Sequence, residues 1–458
     1  MRLIRLLKND LAKESAQWVE SGIIEQQQAE QICQQYGVDY HQAQVHSFGY
    51  RMLVGLGFLF IGLSLITLIG ANWDDIPRAV RMGSLIGLTL LTQLFGWHKW
   101  RQGLQSSATG VFFLGNMFYG ASIILIAQIY HLGEHMPDGI YWWAFGCLPL
   151  AMLTQSRILM LQTLLLSTVY LLLESSLGFY PLAFFPFAIS LLWFLYRSPS
   201  SLIILFGSVF AIGYWVESSF GWLWSLSQNG IGSFYLGWHV EHVLVTAGLF
   251  VFIYGLSQKL ATCQSVKAKD YAAALALWSL RFAIFSLLIL SFEDPWQDMI
   301  EADWDNLASA AIFYLLAIVI TLGLSWQNRK NRQTITFLIL GLLVGILLLA
   351  PAIIDVDYYA QHLQIIDNLL LVVVGCGLII RGIQSGTSHY FYFGVTTILI
   401  TALLRYFDLI GDYIGGAVLF MVFAIILLAA AKFWKYHADK QLGNKTNHGG
   451  QAGGLNHE

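Results

Sequence analysis

The sequence predicts an all-α membrane protein, a polytopic transmembrane helical bundle of about fourteen spans behind a small N-terminal cytoplasmic helical hairpin. Apolar segments of roughly 15–22 residues follow one another from Met52 to Trp434, and a hydrocarbon core of ~30 Å needs about 20 apolar residues per helical crossing. The chain is 57% hydrophobic and only 11% charged, whereas a soluble protein carries about 25% charged residues. This composition excludes a soluble fold.

The sequence also disfavours a membrane β-barrel, a nucleic-acid-binding protein and an enzyme. Runs such as 164–173 and 336–349 are apolar on all sides, whereas membrane strands alternate apolar and polar residues. The net charge of −3 indicates no nucleic-acid partner. The sequence has no phosphate-binding loop, dinucleotide fingerprint or nucleophile elbow, so we expect neither an enzyme nor a cofactor. Its four cysteines show no C-x-x-C spacing, which disfavours disulfides and a zinc site.

Residues 1–49 are predicted to form the cytoplasmic hairpin. Leucines recur at helical spacing between residues 3 and 11, and Gly22 suits the position just after a first helix. A second helix is predicted from about Glu25 to Tyr36. Its apolar stripe packs the hairpin on itself or lies on the membrane in one interpretation, and docks a protein partner in the other.

Residues 50–436 are predicted to form the transmembrane bundle. The predicted spans are 52–71, 80–97, 109–130, 140–153, 158–173, 181–196, 202–216, 242–258, 272–292, 307–326, 334–354, 365–380, 390–404 and 413–434. The aromatic segment 217–240 is predicted to be an interfacial helix or hairpin on the outer surface. Residues 437–458, rich in Gly, Asn and His, are predicted to be a disordered cytoplasmic tail.

Charge asymmetry predicts the orientation. With the N-terminus inside, the predicted cytoplasmic loops collect most of the Lys and Arg residues, as the positive-inside rule requires. These residues are Lys99, Arg101, Arg157, Arg197, Lys259, Lys267, Lys269, Arg329, Lys330, Arg332, Arg381, Lys432, Lys435 and Lys440. An even number of spans also returns the C-terminus to the cytoplasm.

Arg281 is the charged residue predicted deepest within a span. An arginine at the centre of a membrane helix costs about 2.5–3.5 kcal/mol on insertion scales, so Arg281 should face the bundle and find partners. No carboxylate is predicted at the same depth, and Asp367, near the outer end of the twelfth predicted span, is the nearest candidate if the two helices are offset. Contact with a solute, an ion or a lipid headgroup and a structural hydrogen-bond hub are the two interpretations.

A histidine-rich segment reads His131-Leu-Gly-Glu134-His135 and matches the H-x-x-E-H pattern of inverted zinc peptidases. Gly133 lies inside the pattern, Pro137 follows it, and no downstream helix offers an obvious third ligand. We therefore expect no metal site, and retain His131 and Glu134 as candidate binding residues at the outer face. His239 and His242 form a second outer-face cluster.

The first outer loop contains Asn72, Trp73, Asp74 and Asp75, followed by Arg78. Asp74 and Arg78 are four residues apart and could pair across one helical turn. The motif forms a rigid turn at the headgroup level in one interpretation, and recognises a periplasmic or lipid partner in the other.

A second charged cluster, Arg405, Asp408 and Asp412, lies near the predicted outer face and carries the same two interpretations. Small-residue spacings are a separate feature. Gly83 and Gly87, and likewise Gly341 and Gly345, are predicted to let neighbouring helices approach closely.

Four stretches carry a family resemblance. Trp18…Gly22-Ile-Ile…Gln28-Ala29 and Gly70-Ala-Asn-Trp-Asp-Asp-Ile-Pro77, then Gln128-Ile-Tyr-His-Leu132 and Leu404-Arg-Tyr-Phe-Asp-Leu-Ile-Gly-Asp412, resemble the bacterial membrane protein family called domain of unknown function 2157. The resemblance is best over roughly residues 10–160 and 365–435. It implies a multi-pass protein of the bacterial inner membrane and implies no activity.

Two functions remain open at this point. The first is a transporter-like or channel-like protein for a small solute or ion, favoured by the number of spans and by Arg281. The alternative is a non-transporting inner-membrane protein that organises lipids or envelope partners through residues 1–49 or the outer loops. Beyond the lipid bilayer, the sequence predicts no particular substrate, partner or oligomeric state.

Overall fold

A computed structural model shows a helical protein. It describes residues 15–35 except 17, 77–130, 135–230, 233–326, 332–353, 359–386 and 388–408, together with isolated positions between 53 and 67 and residues 421 and 425. The helices are α1 (Gln26–Gln35), α2 (Arg78–Arg101), α3 (Gln105–Tyr130), α4 (Met136–Thr154), α5 (Arg157–Ser176), α6 (Phe185–Arg197), α7 (Leu202–Asn229), α8 (His242–Thr262), α9 (Val266–Leu290), α10 (Asp294–Glu301), α11 (Leu307–Leu324), α12 (Arg332–Leu349), α13 (Ala360–Ser385) and α14 (Ser388–Asp408).

Eight of the helices described by the structure are long and apolar enough to cross a membrane. They are α2, α3, α5, α7, α8, α9, α11 and α13. Every predicted span between residues 80 and 404 coincides with a helix, yet α4, α6, α12 and α14 do not meet this standard. For example, the apolar helical segment Leu182–Arg197, which includes α6, is shorter than the about 20 residues that one crossing needs. The predicted number of about fourteen spans is therefore not confirmed, and the spans 52–71 and 413–434 lie largely outside the described residues.

The segment 217–240 differs from its prediction. Helix α7 continues for 28 residues to Asn229 instead of ending near residue 216. Trp224 is buried, and Phe220 packs on Phe313 with ring centroids 4.9 Å apart. Because these aromatic rings pack into the core, the second half of α7 continues the preceding helix and does not form a separate surface helix. The chain then returns beside it through residues 233–241.

The chain divides into two compact units, and the first contains α1–α6. Within it, α2 packs on α3 and α4 packs on α5, while α3 also contacts α4 and α5. Near the N-terminus, Ala29 and Cys33 of α1 are buried against Ala16, Val19 and Ile24. The turn before α1 contains Gly22 at φ +72°, a conformation that favours glycine. The predicted hairpin over residues 1–49 is not confirmed, because much of it lies outside the described residues.

The second unit contains α7–α14. Helix α8 packs on α7, α9, α11 and α12, and the hairpin of α13 and α14 joins this group through contacts of α13 with α9 and α10. Trp296 of the short helix α10 is fully buried, and its Nε1 donates to the carbonyl oxygen of Leu290, 2.6 Å away. The hairpin and α9 together frame the polar site described below.

Glycines set the helix spacing in two places. A Cβ on Gly394 of α14 would lie 2.6 Å from the carbonyl oxygen of Gly375 of α13, so the two backbones touch there. A Cβ on Gly345 would meet the Tyr314 ring, which agrees with the close packing predicted for that spacing. No described atom lies within 4 Å of a Cβ on Gly83 or Gly87.

Candidate intramembrane polar site

Asp367 and Arg405 form the charged centre of the second unit. Asp367 lies seven residues into α13, about 10 Å from its first residue, and is completely buried. Arg405, in the last turn of α14, is only 9% exposed and interacts electrostatically with Asp367. The two candidate residues, which are 38 positions apart in the sequence (405 − 367), share one site because α13 and α14 pack as a hairpin.

Neither carboxyl oxygen of Asp367 has a hydrogen-bond partner among the residues that the structure describes. A buried polar group is normally hydrogen-bonded, and an isolated buried charge is costlier still. Arg405 therefore offsets only part of the cost of burying this group.

A group of amide and hydroxyl side chains lies at the same level of the helices as Asp367. Ser291, at the C-terminal end of α9, donates its Oγ hydrogen to Oδ1 of Asn368 at 2.8 Å. Nε2 of Gln364 and Nδ2 of Asn368 each donate to the carbonyl oxygen of Ser291 at 3.2 Å. Gln364 and Asn368 are four residues apart and share one face of α13, so they form a polar cluster with Ser291 at the level of Asp367. Gln364 and Asn368 were not predicted as site residues, although two amides close to Asp367 in the sequence were a usable signal.

The structure does not bring Arg281 to Asp367. Arg281 lies ten residues before Ser291 (291 − 281), or about 15 Å along α9, whereas Ser291 is level with Asp367. Its guanidinium instead lies 5.0 Å from the Trp278 ring centroid and 5.6 Å from that of Phe393. Arg281 thus belongs to a different part of the bundle.

One histidine from each predicted outer-face cluster lies close to a glutamate, and the two His–Glu pairs are in different units. In the first unit, Nε2 of His135 lies 2.7 Å from Oε2 of Glu174 on α5. In the second, Nδ1 of His242 lies 2.6 Å from Oε2 of Glu217 on α7. The glutamates were missed because they are distant in sequence from their histidines. Among the described residues, no group of three His, Cys, Asp or Glu side chains could hold a metal ion.

The remaining predicted site residues are less informative. Arg78 begins α2 and is exposed. Asp408 ends α14, but its side chain is not among those described. The others lie outside the described residues: Asn72, Trp73, Asp74, Asp75, His131, Glu134 and Asp412.

The first unit contains a chain of hydrogen-bonded amides that was not predicted from the sequence. Nε2 of Gln93 on α2 donates to Oδ1 of Asn116 on α3 at 3.0 Å. Nδ2 of Asn116 donates in turn to Oε1 of Gln162 on α5, also at 3.0 Å. Trp143 of α4 donates its indole hydrogen to the carbonyl oxygen of Asn116 at 2.8 Å. Polar side chains therefore connect four helices of this unit.

Comparison with known families supports the membrane assignment. Residues 16–160 match the family model described as a predicted membrane protein (DUF2157). This match confirms the predicted resemblance over the stretch that ends at the start of α5. No curated protein and no solved structure matches the chain. The family description and the apolar helices identify a membrane protein, and the description states no activity.

Proposed function

We propose that this membrane protein is transporter-like or channel-like and moves a small solute or ion past the site of Asp367 and Arg405. The observation that carries the proposal is the fully buried carboxylate of Asp367, which has no hydrogen-bond partner among the described residues. Ionisable groups inside membrane helices are costly, and they commonly mark solute, ion or proton pathways.

The chemistry of the site suits a small polar solute or an ion. A proton, a cation or a solute donor group reaching Asp367 would satisfy its oxygens, while Arg405 would hold an anionic part of the same solute. The carbonyl oxygen of Ser291 and the amides of Gln364 and Asn368 add neutral donors and acceptors at the same level. The proposed role is non-enzymatic and needs no cofactor. The proposed location is the bacterial inner membrane, with both termini in the cytoplasm.

Flux measurements on reconstituted protein test the proposal. Purified full-length protein in liposomes is assayed with dyes for protons, sodium, potassium and chloride, and by osmotic swelling with small polar solutes. The test variant is Asp367→Asn, which removes the charge and keeps the shape. The matched control is Asp298→Asn, on the exposed face of α10 in the same unit.

We expect wild type and Asp298→Asn to carry at least one species faster than empty liposomes, and Asp367→Asn to lose about tenfold in that flux. Circular dichroism and size exclusion confirm that both variants are folded. The proposal fails if protein-containing liposomes behave like empty ones for every species, or if Asp367→Asn transports as well as the control.

The alternative function, organising lipids or envelope partners, stays a prediction. Cationic side chains on α9 and α13 are the observation that favours it.

A further inference from the structure

A cleft of about 690 Å³ lies in the first unit, where α2, α3 and α4 meet. Its walls include Thr89 and Leu90 of α2, Ser122 and Ile123 of α3, and Trp142 of α4. The side chains that line it are mostly apolar, and all of them are uncharged. Small-molecule sites typically have volumes of about 300–1,000 Å³. The cleft is therefore large enough for a ligand, and its walls suit an apolar one.

The hydroxyl groups of the cleft are used within the protein. Thr89 and Ser122 donate to carbonyl oxygens of their own helices at 2.9 and 2.7 Å. Tyr119, which also lines the cleft, donates its hydroxyl hydrogen to the carbonyl oxygen of Trp142 at 3.3 Å. Because each hydroxyl hydrogen has an acceptor, these walls need neither water nor a polar solute. A hydrocarbon ligand would cost them no hydrogen bond.

All three helices place the cleft in the same half of the membrane. Leu90 lies twelve residues (90 − 78), or about 18 Å, into α2, and Trp142 lies six residues (142 − 136), or about 9 Å, into α4. Tyr119 lies eleven residues (130 − 119), or about 17 Å, before the end of α3. In the predicted orientation these three helix ends face outwards. The cleft then lies in the outer half of a ~30 Å hydrocarbon core.

The cleft opens onto the surface that meets the lipid. At its rim, Leu90 is 57% exposed and Trp142 is 54% exposed. Helices α2 and α3 are both long and apolar enough to cross a membrane, so the cleft is continuous with the bilayer-facing surface of the first unit. An unfilled apolar cleft forfeits van der Waals contacts, and such packing drives association inside a bilayer. A flexible hydrocarbon chain restores these contacts.

The amide chain of the first unit holds the helices together just below the cleft. Gln93 is one turn beyond Thr89 on α2, and Asn116 is three residues before Tyr119 on α3. Gln93 and Trp143 of α4 both donate to Asn116, so the three helices that form the cleft are joined there. The cleft is thus preformed, as ligand sites usually are.

We infer that this cleft binds one acyl chain of a phospholipid from the outer leaflet, between Leu90 of α2, Ile123 of α3 and Trp142 of α4. Since the lining side chains are uncharged, the site recognises the chain and not the headgroup. The site lies in the first unit, so this inference goes beyond the proposed transport function and does not depend on it.

Photo-cross-linking of the purified full-length protein in liposomes tests the inference. The liposomes contain a phosphatidylethanolamine with a diazirine group in one acyl chain, and cross-linked peptides are mapped by mass spectrometry. The test variant is Ala127→Trp, which places a large ring in the cleft. The matched control is Ile124→Trp, at an exposed position of α3 three residues away (127 − 124) and outside the lining of the cleft.

In wild type we expect residues 119–127 to carry about fivefold more cross-linked lipid than the exposed segment of α5 around Leu165. Ala127→Trp should lose that excess, and Ile124→Trp should keep it. Unlabelled phosphatidylglycerol and phosphatidylcholine with the same acyl chains should compete equally. The wild-type map does not depend on the folding of any variant. Asp367→Asn should label like wild type, which separates this inference from the transport proposal.

A second probe identifies the occupant directly. p-Benzoylphenylalanine in place of Trp142 puts a photoreactive ring at the rim of the cleft. Capture of a phospholipid supports the inference, whereas capture of residues 52–71 of the same chain, or of a second copy of the protein, would overturn it.

Three results of the lipid labelling would also overturn the inference. The first is equal labelling of residues 119–127 and the α5 segment in wild type. The second is unchanged labelling in a folded Ala127→Trp protein. The third is competition by only one of the two unlabelled phospholipids, which would show that the protein recognises the headgroup.

Discussion

Nδ1 of His242 lies 2.6 Å from Oε2 of Glu217, and this contact joins α8 to α7 in the second unit. The other oxygen, Oε1, accepts the hydroxyl hydrogen of Thr246 at 2.7 Å, so both oxygens of the glutamate are used. The His242 ring also packs between Trp224 and Trp238, with both centroid distances 4.8 Å. The His242–Glu217 pair thus connects α7 and α8 among aromatic rings.

Replacing Glu217 should weaken the connection between α7 and α8 and lower the stability of the protein. Glu217→Gln retains the shape but removes the charge and one acceptor oxygen, so we expect a loss of about 1.5–3 kcal/mol in unfolding free energy. Thermal unfolding in detergent micelles measures the change, and Asp303→Asn, at an exposed position of the same unit, is the control. Equal stability of the two variants would show that the His242–Glu217 pair contributes nothing to the unfolding free energy. The His135–Glu174 pair has a more exposed histidine, at 33%, and Glu174→Gln should cost less.

The amide chain of the first unit should show energetic coupling. Asn116→Ala and Gln162→Ala remove the two partners of one buried hydrogen bond between α3 and α5. A double-mutant cycle should give a coupling of about 0.6 kcal/mol, with ~1.7 kcal/mol as an upper range for membrane proteins. Thr163→Ala is the control partner for Asn116, because the Thr163 hydroxyl bonds within its own helix. Additive effects of Asn116 and Gln162 in detergent unfolding would contradict the expectation.

The contact between α13 and α14 should not tolerate a methyl group. A Cβ on Gly394 would meet backbone atoms of Gly375 and Ile379 at 2.6 and 2.9 Å, and backbone cannot rotate away as a side chain can. We expect Gly394→Ala to lower the unfolding free energy by about 1–3 kcal/mol. Gly377→Ala, on α13 with no described atom within 4 Å of the added Cβ, should be neutral or slightly stabilising. A Gly394→Ala protein as stable as Gly377→Ala would show that the hairpin adjusts freely.

Labelling of one native cysteine, Cys263, tests the predicted orientation of the protein in the membrane. Cys263 follows the last residue of α8 on the predicted cytoplasmic side and is partly exposed, whereas Cys33 and Cys147 are buried. With the other cysteines replaced by serine, a membrane-impermeant maleimide should label Cys263 only after the cells are permeabilised. In a cysteine-free background, Asp298→Cys should be labelled in intact cells, because α10 is predicted to lie outside. The reverse pattern would invert the topology.

Helix positions were largely predictable from the sequence, because an apolar run of sufficient length has few alternatives in a bilayer. The extent of α7 was not predictable from the sequence. Its second half carries polar and aromatic residues that also suit an interface, and only the packing of Trp224 and Phe220 into the core shows that the helix continues. The sequence also predicted a span over 181–196, where the apolar helical segment Leu182–Arg197 is shorter than the about 20 residues that one crossing needs.

The candidate sites show the same division. Asp367, Arg405 and Arg281 could be singled out from the sequence, because a charge among apolar residues is conspicuous and costly. Their partners could not. The suggested pairing of Arg281 with Asp367 required a helix offset that the sequence does not specify, and the structure places the two about 15 Å apart in level.

By itself, the sequence determined that this is a helical membrane protein and approximately where most helices lie, because composition and segment length are local properties. The tertiary structure decided which buried ionisable groups lie near one another. Arg405 approaches Asp367 through the α13–α14 hairpin, and Glu217 reaches His242 through the packing of α7 on α8. Such partners depend on which helices are neighbours and on their register, and apolar surfaces that are similar on all sides specify neither.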